Sequence, residues 1–123
     1  MFDIDNFKHF NYTFEHTKGD EILKKVSEEV RSFLRKEDIF IRWDGDEFLI
    51  IVLDISDNTL LKIVQKIRDG ISSIDFGIDE EVTISIGADI FNSNIDLDDL
   101  TSNIDRDLFN AKHNGKNTFS WCE

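Results

Sequence analysis

An Asp-Gly pair set between two apolar runs is the feature that most constrains the fold of this chain. The stretch reads IRWDGDEFLIIV over residues 41–52. Asp-Gly flanked by such runs is the strongest short-range signal for a β-hairpin. We predict strands over about 39–43 and 47–53, joined by a turn whose Asp-Gly suits type I′. The turn is also crowded with acidic residues that a hairpin does not need, which makes it a candidate site: Asp44, Asp46 and Glu47.

Regular patterns on both sides of the hairpin predict the remaining elements. Apolar residues recur at helical spacing over 20–34 and 58–74, and they alternate at strand spacing within 81–91. A last helix is predicted over 97–113, where His-Asn-Gly supplies a stop, and a short strand over 117–121 follows it. This order predicts one α/β (α+β) domain, a mixed sheet flanked by helices.

Composition narrows the possible partners. The chain has 26 acidic against 14 basic residues and a net charge of −12. Such a surface repels nucleic-acid backbones and anionic membranes, so we expect neither as a partner. One cysteine, Cys122, allows no disulfide framework within the chain. Together with the lack of a signal peptide and of an apolar run of about 20 residues, this favours a cytoplasmic protein.

Acidic residues cluster at the start of the chain as well as in the hairpin turn. Alternation in MFDID sends Asp3 and Asp5 to one face, and acids from adjacent strand ends can converge. Converging carboxylates repel one another unless a cation lies between them, and oxygen ligands suit Mg²⁺ or Mn²⁺. Solvated turn acids in an acidic protein are the alternative. A third cluster, residues 96–100, is typical of a helix start.

Five motifs, in order and across nearly the whole chain, resemble those of one known family. They are DIDNFKHFN (3–11), HTKGD (16–20), RWDGDEF (42–48), TISIG (83–87) and IDRDLFNAKHNGKN (104–117). In these motifs the chain resembles the GGDEF domain, the diguanylate cyclase family. The resemblance implies a palm-like fold that condenses two GTP into cyclic di-GMP, releases pyrophosphate and works as a homodimer with Mg²⁺ or Mn²⁺.

The resemblance also implies roles for individual residues. The metal would be held by Asp3, Asp46 and the carbonyl of Ile4, with Asp46 and Glu47 as the catalytic acids. GTP would be bound at the guanine by Asn11 and Asp20, at the turn by Asp44 and Gly45, and at the terminal phosphates by Lys112 and Lys116. For the two lysines, a solvated basic helix end is the alternative. Arg35 and Asp38 match the family's product-inhibition site, where cyclic di-GMP would bind.

Two departures from the family pattern affect the functional reading. Asp44 replaces the first signature glycine, giving DGDEF, and a carboxylate ~4 Å from phosphate at an effective dielectric near 20 is repelled by about 4 kcal/mol. Only Met1 and Phe2 precede Asp3, where the family has a helix and most of the first strand. We therefore expect a single domain over 1–123 with a gap in its sheet, either a truncated fragment or one completed by something else.

Three functional hypotheses follow. The first is an active diguanylate cyclase, because the acids and guanine-contacting residues implied by the resemblance are present. The second is a degenerate domain that binds GTP or cyclic di-GMP as a sensor, which Asp44 and the short start favour. The third is a relative that makes a different cyclic nucleotide, or an interaction domain. Asp20 argues against this third hypothesis, because its carboxylate can accept from guanine N–H groups that adenine lacks.

Overall fold

A computed structural model of the chain describes residues 1–14, 16–92 and 94–121, so Cys122 lies outside the described residues. In this part of the chain the strands are β1 (Phe2–Ile4), β2 (Ile39–Asp44), β3 (Glu47–Ile51), β4 (Ile84–Ala88) and β5 (Phe119–Trp121). The helices are α1 (Phe7–Thr13), α2 (His16–Phe33), α3 (Asp57–Ser72) and α4 (Leu97–His113).

The strands form one mixed sheet in the order β2-β3-β1-β4-β5. Strand β1 is central and antiparallel to both β3 and β4, whereas β4 and β5 are parallel. The predicted mixed sheet flanked by helices is confirmed. Strand β1 and helix α1 were not among the predicted elements, and α2 begins at His16 rather than at residue 20. Strand β1, which carries Asp3, thus lies at the middle of the sheet.

The hydrophobic core lies between the sheet and helices α2 and α3. Phe2 at the start of β1 stacks on Phe48 of β3, with ring centroids 4.9 Å apart, and Phe48 stacks on Phe40 of β2 at 5.5 Å. Helices α2 and α3 each bury one apolar stripe, comprising Ile22, Val26 and Val30 on α2 and Val64, Ile67 and Ile71 on α3. Burying one such side chain stabilises the fold by about 1.5–3 kcal/mol. This packing fixes β1 beside the hairpin.

The hairpin has a different turn from the one predicted. Asp44 pairs with Glu47, so the two loop residues are Gly45 and Asp46 rather than Asp44 and Gly45. Gly45 has a φ of 37°, and Asp46 is not among the described residues with positive φ. Type I′ needs positive φ at both central residues, so that prediction is wrong. An irregularity in register between Arg42 and Asp44 moves the turn by one residue.

An apolar groove of about 660 Å³ runs between β3 and β4 beyond the start of β1. Strand β1 pairs with β3 only at Phe2 and Asp3, so the later residues of β3 have no β1 partner. The groove walls include Leu49, Ile51, Ala88 and Ile104. The expectation of a gap in the sheet, either from truncation or completed by something else, stays a prediction.

Candidate active site

Two acids from different strands meet at the centre of the sheet. Asp3 of β1 is the register partner of Glu47 of β3, so their side chains lie on the same face. The amide of Ile4 donates to the carbonyl of Asp46 at 3.2 Å, which ties the end of β1 to the hairpin turn. Asp3 is only 3% exposed. The acids Asp3, Asp46 and Glu47, selected from the sequence, are therefore neighbours in the fold.

The charges of these acids oppose one another. Burial raises the pKa of Asp3, the ammonium of Lys112 works against that rise, and nearby Asp46 adds to it. Burial also raises the pKa of Glu47, and the charge of Asp3 raises it further. Acids with raised pKa values are held in a place where their ionised forms are disfavoured. A cation bound between them would relieve this repulsion.

Lys112 supplies one positive charge at the acids. From the last turn of α4, its Nζ donates to Oδ2 of Asp3. The other carboxylate oxygen, Oδ1 of Asp3, is buried and has no hydrogen-bond partner among the described residues. An unpaired buried carboxylate oxygen is costly, and it is the kind of atom that a metal ion would satisfy.

The donor set suits a metal ion that binds together with a phosphate ligand. Among residues 1–14, 16–92 and 94–121, no group of three or more His, Cys, Asp or Glu side chains is close enough to hold a metal by itself. Mg²⁺ usually takes only one or two carboxylates and completes its shell with substrate phosphates and water. Asp3 and Asp46, whose charges oppose one another, are two carboxylates of the number that this pattern requires.

The two residues implied in guanine binding lie at the junction of α1 and α2. Asn11 on α1 is half-buried, and Asp20 on α2 is exposed. The side chain of Asn11 rests directly on Gly19, where an added Cβ would lie 1.8 Å from its Oδ1. Gly19 therefore leaves the space that lets Asn11 approach the start of α2, next to Asp20. This corner can present both a carboxylate and an amide to one ligand.

Asp44 lies opposite Glu47 across the hairpin, and its charge is one of those that raise the pKa of Glu47. Asp44 is the last residue of β2, and its side chain is exposed. Around the adjacent Gly45, a Cβ would meet nothing within 4 Å, although its φ of 37° favours glycine. Arg42 supports the turn by donating from Nε to the carbonyl of Gly45 at 2.7 Å. The carboxylate of Asp44 is therefore free to remain in solvent.

Lys116 reaches the same end of β1 as Lys112. Its Nζ donates to Oδ1 of Asn6 at 2.6 Å, and Asn6 immediately precedes α1. Both lysines near the end of α4 thus contact the segment 3–6. This contact weighs against the alternative of a basic helix end that is merely solvated.

Arg35 and Asp38 form a separate, tightly bonded pair. Nη2 of Arg35 donates to Oδ1 of Asp38 at 3.1 Å and to the carbonyl of Leu53 at 2.5 Å. The Asp38 side chain is 2% exposed, whereas that of Arg35 is 48% exposed. Burial acts to raise the pKa of Asp38, but hydrogen bonds from Arg35 outweigh it and hold the pKa below its usual value. Asp38 therefore anchors Arg35, which offers its guanidinium to solvent.

Sequence reasoning did not assign partners to Asp5 or a role to Asn6. The carboxylate of Asp5 is buried among Thr83, Ser85 and the amide of Asn117. The sequence did contain a signal for these partners, because hydroxyl residues alternate in the TISIG motif.

Gly87 of the TISIG motif allows a close approach between a helix and the sheet. A Cβ at Gly87 would lie 2.5 Å from the amide nitrogen of Leu108, so α4 packs directly on β4.

Comparison with known proteins gives concordant matches. Residues 1–118 match the family model described as diguanylate cyclase, GGDEF domain. The chain is 36% identical over 121 residues to "Diguanylate cyclase DosC" of Escherichia coli K12, covering 95% of this chain and 26% of that protein. It therefore spans about a quarter of that relative's length.

Two solved structures extend the likeness to the fold. The active GGEEF domain of a diguanylate cyclase from Vibrio cholerae superposes with a TM-score of 0.89 at 28% identity, covering 99% of this chain and 80% of that one. A microbial GGDEF domain described in an interaction with cyclic di-GMP has a TM-score of 0.79 at 28% identity, covering 98% and 73%. No helix among the described residues is long and apolar enough to cross a membrane.

Proposed function

The chain belongs to the GGDEF domain family of diguanylate cyclases, and we propose that it condenses two GTP molecules into cyclic di-GMP, releasing pyrophosphate. The observation that carries the proposal is the apposition of Asp3 and Glu47 beside the turn residue Asp46, with Lys112 bonded to Asp3. A buried acid with an unpaired oxygen, next to further acids and a lysine, is suited to bind a metal-bound triphosphate.

The protein side chains position GTP at its two ends. Asp20 accepts from the N–H groups of guanine, and Asn11 can both donate to and accept from the base. Lys112 and Lys116 bind the terminal phosphates. For this, the ammonium of Lys112 gives up its hydrogen bond to Asp3 and donates to a phosphate oxygen instead. Holding the reacting groups in place in this way removes much of the entropic barrier of a bimolecular step.

The acids hold the metal and orient the attacking group. Asp3, the carbonyl of Ile4 and Asp46 would hold Mg²⁺ or Mn²⁺, with Glu47 supporting the attacking 3′-hydroxyl. When bound, the cation neutralises charge that develops on the phosphates. With one GTP in each protomer, the 3′-hydroxyl of one nucleotide attacks the α-phosphate of the other, so the working unit is a homodimer. A GTP substrate also favours the cytoplasm.

A second candidate function is binding without catalysis. Arg35 is held by Asp38 and the carbonyl of Leu53, yet about half of its side chain remains exposed. A guanidinium fixed in this way can bind a phosphate or the Hoogsteen edge of guanine. Cyclic di-GMP bound here would act as an inhibitor of an active cyclase, or as the sole ligand of an inactive sensor.

Product analysis tests the proposal. We would incubate the purified chain with GTP and Mg²⁺ or Mn²⁺, and separate the nucleotides by chromatography. Asp44→Gly would run in parallel, with Asp46→Asn as the inactive control and ATP as the substrate control. We expect cyclic di-GMP from the natural chain, more from Asp44→Gly, and none from Asp46→Asn or from ATP.

The other outcomes discriminate between the hypotheses. Product from Asp44→Gly alone would identify a degenerate binding domain inactivated at one position. A product from ATP would favour a different cyclic nucleotide. No product from either folded chain would overturn the proposed activity.

A further inference from the structure

Asp5 is a buried carboxylate that accepts hydrogen bonds from two hydroxyls and one backbone amide. Its Oδ1 accepts from the hydroxyl of Ser85 at 2.6 Å, and its Oδ2 accepts from the hydroxyl of Thr83 at 2.7 Å. Oδ2 also accepts from the backbone amide of Asn117 at 3.0 Å. The residue is 4% exposed. With both oxygens bonded in this way, Asp5 differs from Asp3, whose Oδ1 has no hydrogen-bond partner among the described residues.

The amide that Asp5 binds belongs to an unusual turn. Gly115, Lys116 and Asn117 follow α4 with φ values of 100°, 61° and 45°. Residues with a side chain rarely adopt positive φ, and they keep it only where surrounding contacts impose it. The amide of Lys116 donates to the carbonyl of Ala111 at 3.2 Å, and Asp5 holds the next amide along the chain. Asp5 therefore helps to impose the shape of this turn.

The turn directs Lys116 to the residue that follows Asp5. The ammonium of Lys116 contacts Asn6 Oδ1 at 2.6 Å, while Lys112 contacts Asp3. The carboxylate of Asp5 thus holds the backbone amide that follows Lys116. Asn6, the residue after Asp5, accepts the hydrogen bond from the Lys116 side chain. The arrangement couples the end of β1 to the placement of a positive charge.

We propose that Asp5 is a positioning residue: it holds the turn at 115–117 so that Lys116 meets the terminal phosphates of a nucleoside triphosphate. The inference rests on the proposed function, and it adds that Asp5 takes no part in metal binding. Its negative charge is not essential to this role. An asparagine oxygen in the place of Oδ2 could accept from the Asn117 amide and the Thr83 hydroxyl, while its NH₂ group could donate to the Ser85 hydroxyl.

Nucleotide binding by three variants tests the inference. The probes are α,β-methylene GTP, which cannot release pyrophosphate, and GMP, each titrated calorimetrically with Mg²⁺ present. We expect Asp5→Ala to weaken binding of the analogue about tenfold and that of GMP less than about twofold. Asp5→Asn should restore most of this loss. Ser85→Ala, which removes a hydroxyl from Asp5 without touching the turn, should leave the ratio of the two affinities unchanged.

A double-mutant cycle identifies the route of the effect. Lys116→Gln should weaken the analogue about as much as Asp5→Ala, and combining the two changes should add less than about twofold to either. Equal losses for GMP and the analogue, additive losses, or an Asn variant as poor as Ala would overturn the inference. Failure of the natural chain to bind the analogue would instead overturn the proposed function, and the inference with it.

Hydrogen exchange in the unmodified chain provides a test that does not depend on folding of the variants. Binding of the analogue should slow exchange of the Asn117 amide about threefold or more, because fixing Lys116 stabilises the turn. GMP should leave that rate unchanged. Equal protection by both nucleotides, or by neither while both bind, would overturn the inference.

Discussion

Asp3 and Glu47 are direct partners in the register of β1 and β3, so two acids share one face at the centre of the sheet. Like charges in such a position destabilise a sheet. The ammonium of Lys112, which donates to Asp3, offsets part of the repulsion between the two acids. Because the pair still destabilises the fold, we infer that the two acids serve function rather than stability.

Replacing Glu47 should stabilise the chain while removing its activity. The pKa of Glu47 is raised by burial and by Asp3, so the ionised side chain opposes folding at neutral pH. Glu47→Gln should therefore raise the free energy of unfolding by about 0.2–1 kcal/mol at pH 7. The gain should shrink as pH falls through the raised folded pKa and vanish below the unfolded pKa of about 4.3.

Urea unfolding in EDTA at several pH values measures this effect. Glu28→Gln, on the exposed side of α2, is the matched control and should change little. A Glu47→Gln chain that is less stable than the natural one at pH 7 would contradict the account.

Much of the fold could be predicted from local pattern. Helix α4 has the predicted bounds, and the hairpin strands agree closely with the predicted ones. Both elements are determined by residues close together in the sequence, through the apolar periodicity of the helix and the Asp-Gly pair of the hairpin. The turn type was wrong because the irregularity near Trp43 depends on register with β3, which residue types do not encode. Helix α1 was missed because seven residues are too few to establish a periodicity.

The geometry of the candidate site could be predicted from the sequence less completely than the fold could. Its acids were selected by motif, but the apposition of Asp3 and Glu47 depends on a strand pairing between distant parts of the chain. Gly115 and Asn117 are residue types that tolerate a left-handed φ, but the left-handed φ of Lys116 has no signal in its own residue type. The contact of Lys116 with Asn6 was therefore not predictable.

A methyl group at Gly19 should disturb guanine recognition without unfolding the chain. The added Cβ would displace the end of the Asn11 side chain, which can move at little cost, and alanine is favoured within a helix. Gly19→Ala should weaken GTP binding about tenfold and reduce the preference for GTP over ATP. Calorimetric titration of both nucleotides measures this.

Gly70→Ala is the control for that experiment. Its Cβ would lie 2.9 Å from the ring of Phe33, so it should destabilise the chain by about 1–3 kcal/mol and leave nucleotide selectivity intact. Unchanged selectivity in Gly19→Ala would refute the role assigned to Asn11.

Removing Lys112 should make the chain depend on metal for stability. Lys112→Met leaves the buried carboxylate of Asp3 without its ammonium partner, which should cost about 1–3 kcal/mol in metal-free buffer. Millimolar Mn²⁺ should recover part of the loss, because the cation replaces the missing charge. Thermal unfolding with and without Mn²⁺ measures both effects, with the exposed Lys62→Met as control. Mn²⁺ recovery equal in both variants would argue against a metal at Asp3.

Arg35→Ala should weaken cyclic di-GMP binding about tenfold or more, because a charged hydrogen-bond donor is lost. The same change should also destabilise the chain at neutral pH. The pKa of Asp38 is lower in the folded chain than in the unfolded chain, so the ionised Asp38 that Arg35 holds stabilises the fold at pH values above the unfolded pKa. That loss should disappear as pH falls through the folded pKa. Titration with cyclic di-GMP, with exposed Lys36→Ala as control, measures the binding. Undiminished affinity in Arg35→Ala would place the ligand elsewhere.

The central claim, that Asp3 of β1 and Asp46 of the hairpin turn hold the metal ion that accompanies GTP, is tested most directly by Mn²⁺ binding. Electron paramagnetic resonance reports free Mn²⁺ in the presence of α,β-methylene GTP and the protein. We predict that the natural chain and Glu28→Gln take up Mn²⁺ with the analogue, and that Asp3→Asn weakens this uptake at least about tenfold. Uptake by Asp3→Asn equal to that of the natural chain would contradict the account.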